Sequence, residues 1–282
     1  MAYTHAWVER DVADQARFIS SCANTPEESS PVRMLIPRDL APNLIMCSSD
    51  VNGALEYGEA PYLQTSCSKS PISWSKLSLK DLEKIEKGIS QLLAPCHVHS
   101  DLIVIMTDLA YFSSTLQPDR VNSSSYIDPT AFSEGLCWLK CKLLSFPGNS
   151  SDSATENMID RACRFGALLY IKSIMDEFPH SKTGSSILLK KLQGSLQDLR
   201  KDAKTIPLLL WLFTLGAVIS KSAERMSFTQ GLKELATICG INSFNDDQLS
   251  VSKLLSLQQI FGSSLDKLWE DVMSPTIRHK DS

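Results

Sequence analysis

The 282-residue chain lacks an excess of basic residues: 28 Lys and Arg stand against 32 Asp and Glu, for a net charge of -4 at pH 7. Gripping a nucleic-acid backbone needs the opposite balance, so no direct nucleic-acid contact is expected. No apolar run reaches the roughly 20 residues that cross a bilayer core. The longest, from Ile206 to Ile219, lies between Lys204 and Lys221 and reads as a central helix that is apolar on every side. Near the N-terminus Glu9, Arg10 and Asp11 interrupt any signal-like apolar stretch. No membrane or secretory route is therefore expected, and the chain reads as intracellular, nuclear or cytoplasmic.

Catalytic and nucleotide-binding signatures are also missing. There is no G-x-G-x-x-G, G-x-x-x-x-G-K-[ST], G-x-S-x-G or H-E-x-x-H, so nucleotide, serine-hydrolase and zincin chemistry have no foothold. Among the eight cysteines the closest pair is Cys137 and Cys141, on one face of an expected helix. A structural zinc ion needs two tight thiolate pairs, so the cysteines read as reduced, buried thiols. No metal and no cofactor are expected. Two further candidates dissolve on inspection. Asn245-Asp246-Asp247-Gln248-Leu249-Ser250 misses the spacing of the magnesium motifs of all-α terpene cyclases and reads as helix capping. Lys190-Lys191 and Arg200-Lys201 lie among leucines and near Asp198 and Asp202, and read as solvated faces.

What is present is helical periodicity. Residues 1–77 are broken by Pro26, Pro31, Pro37, Pro42, Pro61 and Pro71 and read as an irregular, Pro-rich N-terminal extension, with one short helix near Val8 to Ile19. From 78 to 282 the spacing predicts an all-α, multi-helix single domain. Ser78 with Asp81 forms a capping-box variant ahead of Leu79, Leu82, Ile85, Ile89, Leu92 and Leu93, and Pro95 stops that helix. A second helix is expected from Ser100 to Ser114, and a third after Asp128-Pro129, ending before Pro147. A long one follows from Ser153 to Phe178, then one from Ser186 to Leu199, then the apolar helix that opens at Pro207. Ser227 is expected to cap a helix that closes at Gly240, and two more are expected from Asp246 to Gln259 and from Ser263 to Met273. No segment after residue 78 alternates with period two, and no fixed repeat suggests a solenoid.

The most chemical-looking string is Cys96-His97-Val98-His99-Ser100-Asp101, an H-x-H-x-D spacing that here joins two helices. Ser100 or Asp101 then serves as an N-cap, and His97 or His99, of the side-chain type best suited to exchange protons near neutral pH, is the acid/base candidate.

Several segments in series resemble a known family. They are Arg161-Ala162-Cys163-Arg164-Phe165-Gly166-Ala167-Leu168-Leu169-Tyr170-Ile171 with Phe178-Pro179, then Leu208-Leu209-Leu210-Trp211-Leu212-Phe213-Thr214-Leu215-Gly216-Ala217, then Ala223-Glu224-Arg225, and Ser264-Leu265-Asp266-Lys267-Leu268-Trp269. Together, over roughly residues 78 to 273, they resemble the fungal-specific transcription factor domain, the helical regulatory region that follows a zinc binuclear cluster in many fungal regulators. The resemblance implies an all-α domain for effector response, dimerisation and contact with the transcription machinery, without defined catalytic residues. The family's six-cysteine, basic DNA-reading head has no counterpart here: the first stretch offers Cys22, Cys47 and Cys67, far apart, among mostly acidic residues.

Two functions follow as expectations. One is a regulatory protein without its DNA-reading head, a co-regulator or effector-sensing partner that binds another protein and forms a homodimer. The alternative is the same helical body turned to fungal secondary metabolism, binding a small apolar metabolite or cyclising it as a metal- and cofactor-independent pericyclase of Diels-Alderase type. Under that alternative His97, His99, Asp108, Tyr111 and Arg164 are the catalytic candidates, and Tyr170 and Trp211 the ligand-binding ones. Each has an ordinary role as well: core aromatic, cap or helix-face ion pair.

Overall fold

The computed structural model describes residues 50–55, 57–62, 78–115, 129–146, 157–175, 185–197, 199–241 and 257–273. Among these residues no strand occurs, and eight α-helices carry the body: α1 (Leu79–Leu93), α2 (Ser100–Thr115), α3 (Pro129–Leu144), α4 (Met158–Met175), α5 (Ser185–Gln197), α6 (Ile206–Ile219), α7 (Ser222–Cys239) and α8 (Leu257–Met273). The described residues after residue 78 are thus all-α, as expected.

Local chemistry explains most of the ends. Ser78 holds an extended backbone, and its Oγ accepts from the Asp81 amide at 3.2 Å while donating to the Asp81 carboxylate at 2.8 Å. Pro95 cannot continue an α-helix, so α1 tightens into a 3-10 turn at Ala94–Cys96 that ends on His97 in the left-handed region, φ 57°. Gly240 closes α7 at φ 64°, where a side chain would be strained.

Three boundaries differ from expectation. Helix α4 begins at Met158 rather than Ser153, because the Asn157 side chain accepts from the Asp160 amide at 2.7 Å and caps it there. Helix α7 begins at Ser222, so Ser227 lies inside it; its hydroxyl accepts from the Gln193 amide of α5 at 2.9 Å instead of capping. Gly262 has non-helical angles, φ 40° and ψ -120°, and kinks α8 where two separate helices were expected to meet. The Val8 to Ile19 helix, the Asp246 start and the Asn245 to Ser250 string lie outside the described residues.

Packing is organised around α6 and α4. Helix α6 touches α1, α4, α5, α7 and α8, and every side chain from Leu208 to Ala217 is buried. An all-round apolar helix can be stable in water only if other helices surround it. Helix α4 contacts α2, α3, α5 and α6, and its residues 162–172 are all buried. The closest approaches use glycine. A Cβ on Gly166 of α4 would run into Leu212 and lie 3.0 Å from the Trp211 ring of α6, so the two central helices meet where no side chain intervenes. One segment of the expected irregular extension is itself helical. Residues 50–55 form a short turn whose Val51 and Leu55, one helical turn apart, are buried in the core.

Candidate functional site

The polar groups of the interior sit mainly on α2 and its neighbours. Tyr111 of α2 donates to the Glu86 carboxylate of α1 at 2.6 Å, and burial, followed by that hydrogen bond and the charges of Glu86 and Asp108, pushes its phenol well above the usual range. Asp108, one turn earlier, is half-buried, and loss of water pushes its carboxyl up to about 6. Two residues beyond Tyr111, the Ser113 hydroxyl meets the Tyr170 hydroxyl of α4, both fully enclosed. Burial raises the Tyr170 phenol as well, with the Ser113 contact opposing it. Helix α2 is thereby tied to α1 on one side and to α4 on the other by hydroxyl groups.

Three of the seven sequence candidates thus lie on or against the second half of α2, Asp108 and Tyr111 toward α1 and Tyr170 on the side of α4. The other four do not join them. His99 precedes α2 by one residue, about 18 Å along the helix axis from Tyr111. Both His97 and His99 are exposed. The His99 amide donates to Asp160 of α4 at 2.9 Å, its Nδ1 accepts from the Asp101 amide at 3.2 Å, and its ring meets Phe146 edge-on at 5.6 Å. This string is a turn pinned to the start of α4. Arg164 is buried with its guanidinium 4.7 Å from the Phe165 ring centre. Trp211 is buried on α6 against Gly166, and its Nε1, like Thr214 Oγ1 one turn on, has no hydrogen-bond partner among the described residues.

Sequence reading missed a second polar cluster. Lys140 of α3 and Lys172 of α4 are buried, 3% and 4% exposed. Lys140 donates to the Asn52 side chain of the 50–55 turn at 2.8 Å. Its amine is lowered to about 8, first by loss of water and also by Lys172, while the Cys137 and Cys141 thiols of α3 oppose the shift. Their position among apolar residues was the one available signal, and apolar residues also flank exposed lysines on an amphipathic helix. Lys191 is not simply a solvated face either: it bonds the Glu59 carboxylate at 2.6 Å, and Lys201 likewise reaches Glu234.

Among the described residues no three His, Cys, Asp or Glu side chains come together as a metal site. Cys96, Cys137, Cys141, Cys163 and Cys239 carry no disulfide. Burial pushes the Cys96 thiol up to about 11 and the Cys163 thiol well above its ordinary value, which keeps both protonated and unreactive. No helix of the described residues is long and apolar enough to cross a membrane.

The hydroxyls on α2, the closed α6 interior and the turn at His97 all lie within or beside a stretch with a family counterpart. The model of the fungal specific transcription factor domain matches residues 102–253, more than half of the chain, from the first turn of α2 through all of α7. No curated protein and no solved structure matches the chain. Helix order, the apolar α6 and the family match agree, and the chain belongs to the fungal specific transcription factor domain family.

Proposed function

We propose that this chain acts inside the cell, with access to the nucleus, as a co-regulator that engages a protein of the transcription apparatus through its outer helical faces. Membership of the family supports a transcription-regulator-like role. The observation that carries the finer reading is the contrast between the two faces of α7. Its inner face closes on α6, with Phe228, Leu232 and Leu235 buried, whereas Met226 and Ile238 stand 69% and 57% exposed, and Met273 of the adjoining α8 is 37% exposed. Apolar side chains left in water on a helix are candidate footholds for a partner, and Met226 and Ile238 stand about 18 Å apart along α7, as separate points of contact.

Deleting the gene in its host and measuring transcripts tests the reading. Transcript levels are expected to change on deletion and to be restored by the intact gene. A Met226→Glu, Ile238→Glu variant is expected to fail to restore them while accumulating as folded protein. Unchanged transcripts in the deletion strain would sink the regulator reading.

A further inference from the structure

Residues 50–62 lie on the body as a short strap. Val51 and Leu55, one helical turn apart, are buried in the core, and the chain turns at Gly58, φ 63°, where a Cβ would lie 3.0 Å from Leu188 of α5 and 3.3 Å from Phe165 of α4. Its backbone bonds are local. The Gly58 and Glu59 amides donate to the Leu55 and Ala54 carbonyls at 3.3 and 3.1 Å, and the Tyr62 amide donates to Asp50 at 3.3 Å. Two lysines of the body bond to it: Lys191 of α5 donates to the Glu59 carboxylate at 2.6 Å and to the Gly58 carbonyl at 3.4 Å, and Lys140 of α3 donates to the Asn52 side chain at 2.8 Å.

A peptide seated in a groove is bound in the same way. A short helical turn lays two apolar anchors at i and i+4 into the body, and lysines meet the polar groups beside them. Charge agrees with this. No Lys or Arg occurs between Arg38 and Lys69, a stretch that carries Asp39, Asp50, Glu56 and Glu59. Lys140, Phe165, Leu188 and Lys191 lie inside residues 102–253, the part matched by the family model, and the strap lies outside it. The two ends of the strap are not equally matched to their lysines. Lys191 meets a carboxylate, whereas Lys140 meets a neutral amide, and a charge-assisted bond is roughly twice as strong as a neutral one.

We propose that the seat formed by α3, α4 and α5 under residues 50–62 is a docking site for an acidic helical segment of a partner protein, and that the strap is its built-in competitor. The segment carries two apolar side chains one turn apart, as Val51 and Leu55 are, and carboxylates at the positions of Asn52 and Glu59. This site is separate from the outer face of α7. Being tethered, the strap meets the seat at high effective concentration, so an entering segment must bind better than the strap does. A carboxylate against Lys140 supplies that advantage. An identical strap from a second copy does not, which points to a partner rather than to exchange between copies.

Fluorescence anisotropy of labelled synthetic peptides, titrated with the full chain, tests this. The probes are residues 50–62 as they stand, the same peptide with Asn52→Asp, and the same peptide with Val51→Asp. The chain is used as wild type and with its own strap weakened by Val51→Asp and Leu55→Asp together. The native peptide is expected to bind the weakened chain about tenfold or more tightly than the wild type, because the tethered competitor is gone. The Asn52→Asp peptide is expected to bind tighter again, and the Val51→Asp peptide not to bind. No binding to the folded weakened chain overturns the proposal, as does equal binding to both chains or an Asn52→Asp peptide that binds no better than the native one. A wild-type dimer that free native peptide dissolves would make a second copy the occupant and overturn the partner reading. Should the weakened chain fail to fold by far-UV circular dichroism, Glu59→Lys, which breaks only the exposed anchor, takes its place with the same expected order of binding.

Discussion

Phe213 of α6 and Phe228 of α7 are exchanged across the interface between their helices, each ring lying where a glycine of the other helix leaves room. Phe228 fills the space over Gly216, Phe213 fills the space over Gly231, and the two rings meet edge to face with centres 6.3 Å apart at 67°. The pairing of an earlier α6 residue with a later α7 residue shows that the helices run antiparallel, as their two-residue connection at Ser220 and Lys221 requires. An edge-to-face pair of this kind adds about 0.5–1.5 kcal/mol beyond the area it buries.

The exchange makes a sharp prediction for Gly216→Ala. A Cβ there would collide with the Phe228 ring, so α7 must shift away from α6. The expected loss is about 1–3 kcal/mol, the usual cost of overpacking a filled interior. Urea unfolding measures it, and Phe228→Leu in the same chain is expected to recover part of the loss by making room.

Tyr170 and Ser113 give a test of opposite logic. Tyr170→Phe alone leaves the Ser113 hydroxyl enclosed without its partner and is expected to cost about 1–3 kcal/mol. Adding Ser113→Ala removes the orphaned group, so the double variant is expected to be more stable than Tyr170→Phe alone. A double-mutant cycle from denaturant melts reads the coupling.

Asp108 makes stability depend on pH in a definite direction. Its carboxyl is raised from 3.8 to about 6 on folding, so the folded state binds the proton more tightly than the unfolded one. The group is neutral in both states below 3.8, and its cost to stability grows as pH rises to about 6 and is complete above it. Asp108→Asn is therefore expected to gain stability relative to the wild type on going from pH 4 to pH 7, measured as the difference between their unfolding free energies at each pH.

Much of the candidate site was not legible in the sequence. Asp108, Tyr111 and Tyr170 could be named as polar groups among apolar ones, because a polar side chain on an otherwise buried helix face is conspicuous in a linear pattern. Their partners Glu86 and Ser113 could not, since each bond spans 25 or 57 residues of chain and depends on how α1, α2 and α4 are rotated against each other. The histidine string drew attention through its spacing alone, and folding turned it into a surface turn tied to Asp160. Lys140 was passed over because an alternation of lysine with leucine reads equally as a wet or a dry face.

The sequence by itself determined the helices and the burial of α6. The Ser78 and Asp81 cap, the stop at Pro95, the turn at Gly240 and the unbroken apolar run from Leu208 to Leu212 act within a few residues, through backbone hydrogen bonds and the 3.6-residue period. Only the tertiary structure decided which rings enter which glycine gaps, which hydroxyls pair, and that Lys140 and Lys172 are buried. Those outcomes depend on the relative rotation and approach of whole helices, and this is fixed by side-chain packing between segments far apart in the chain.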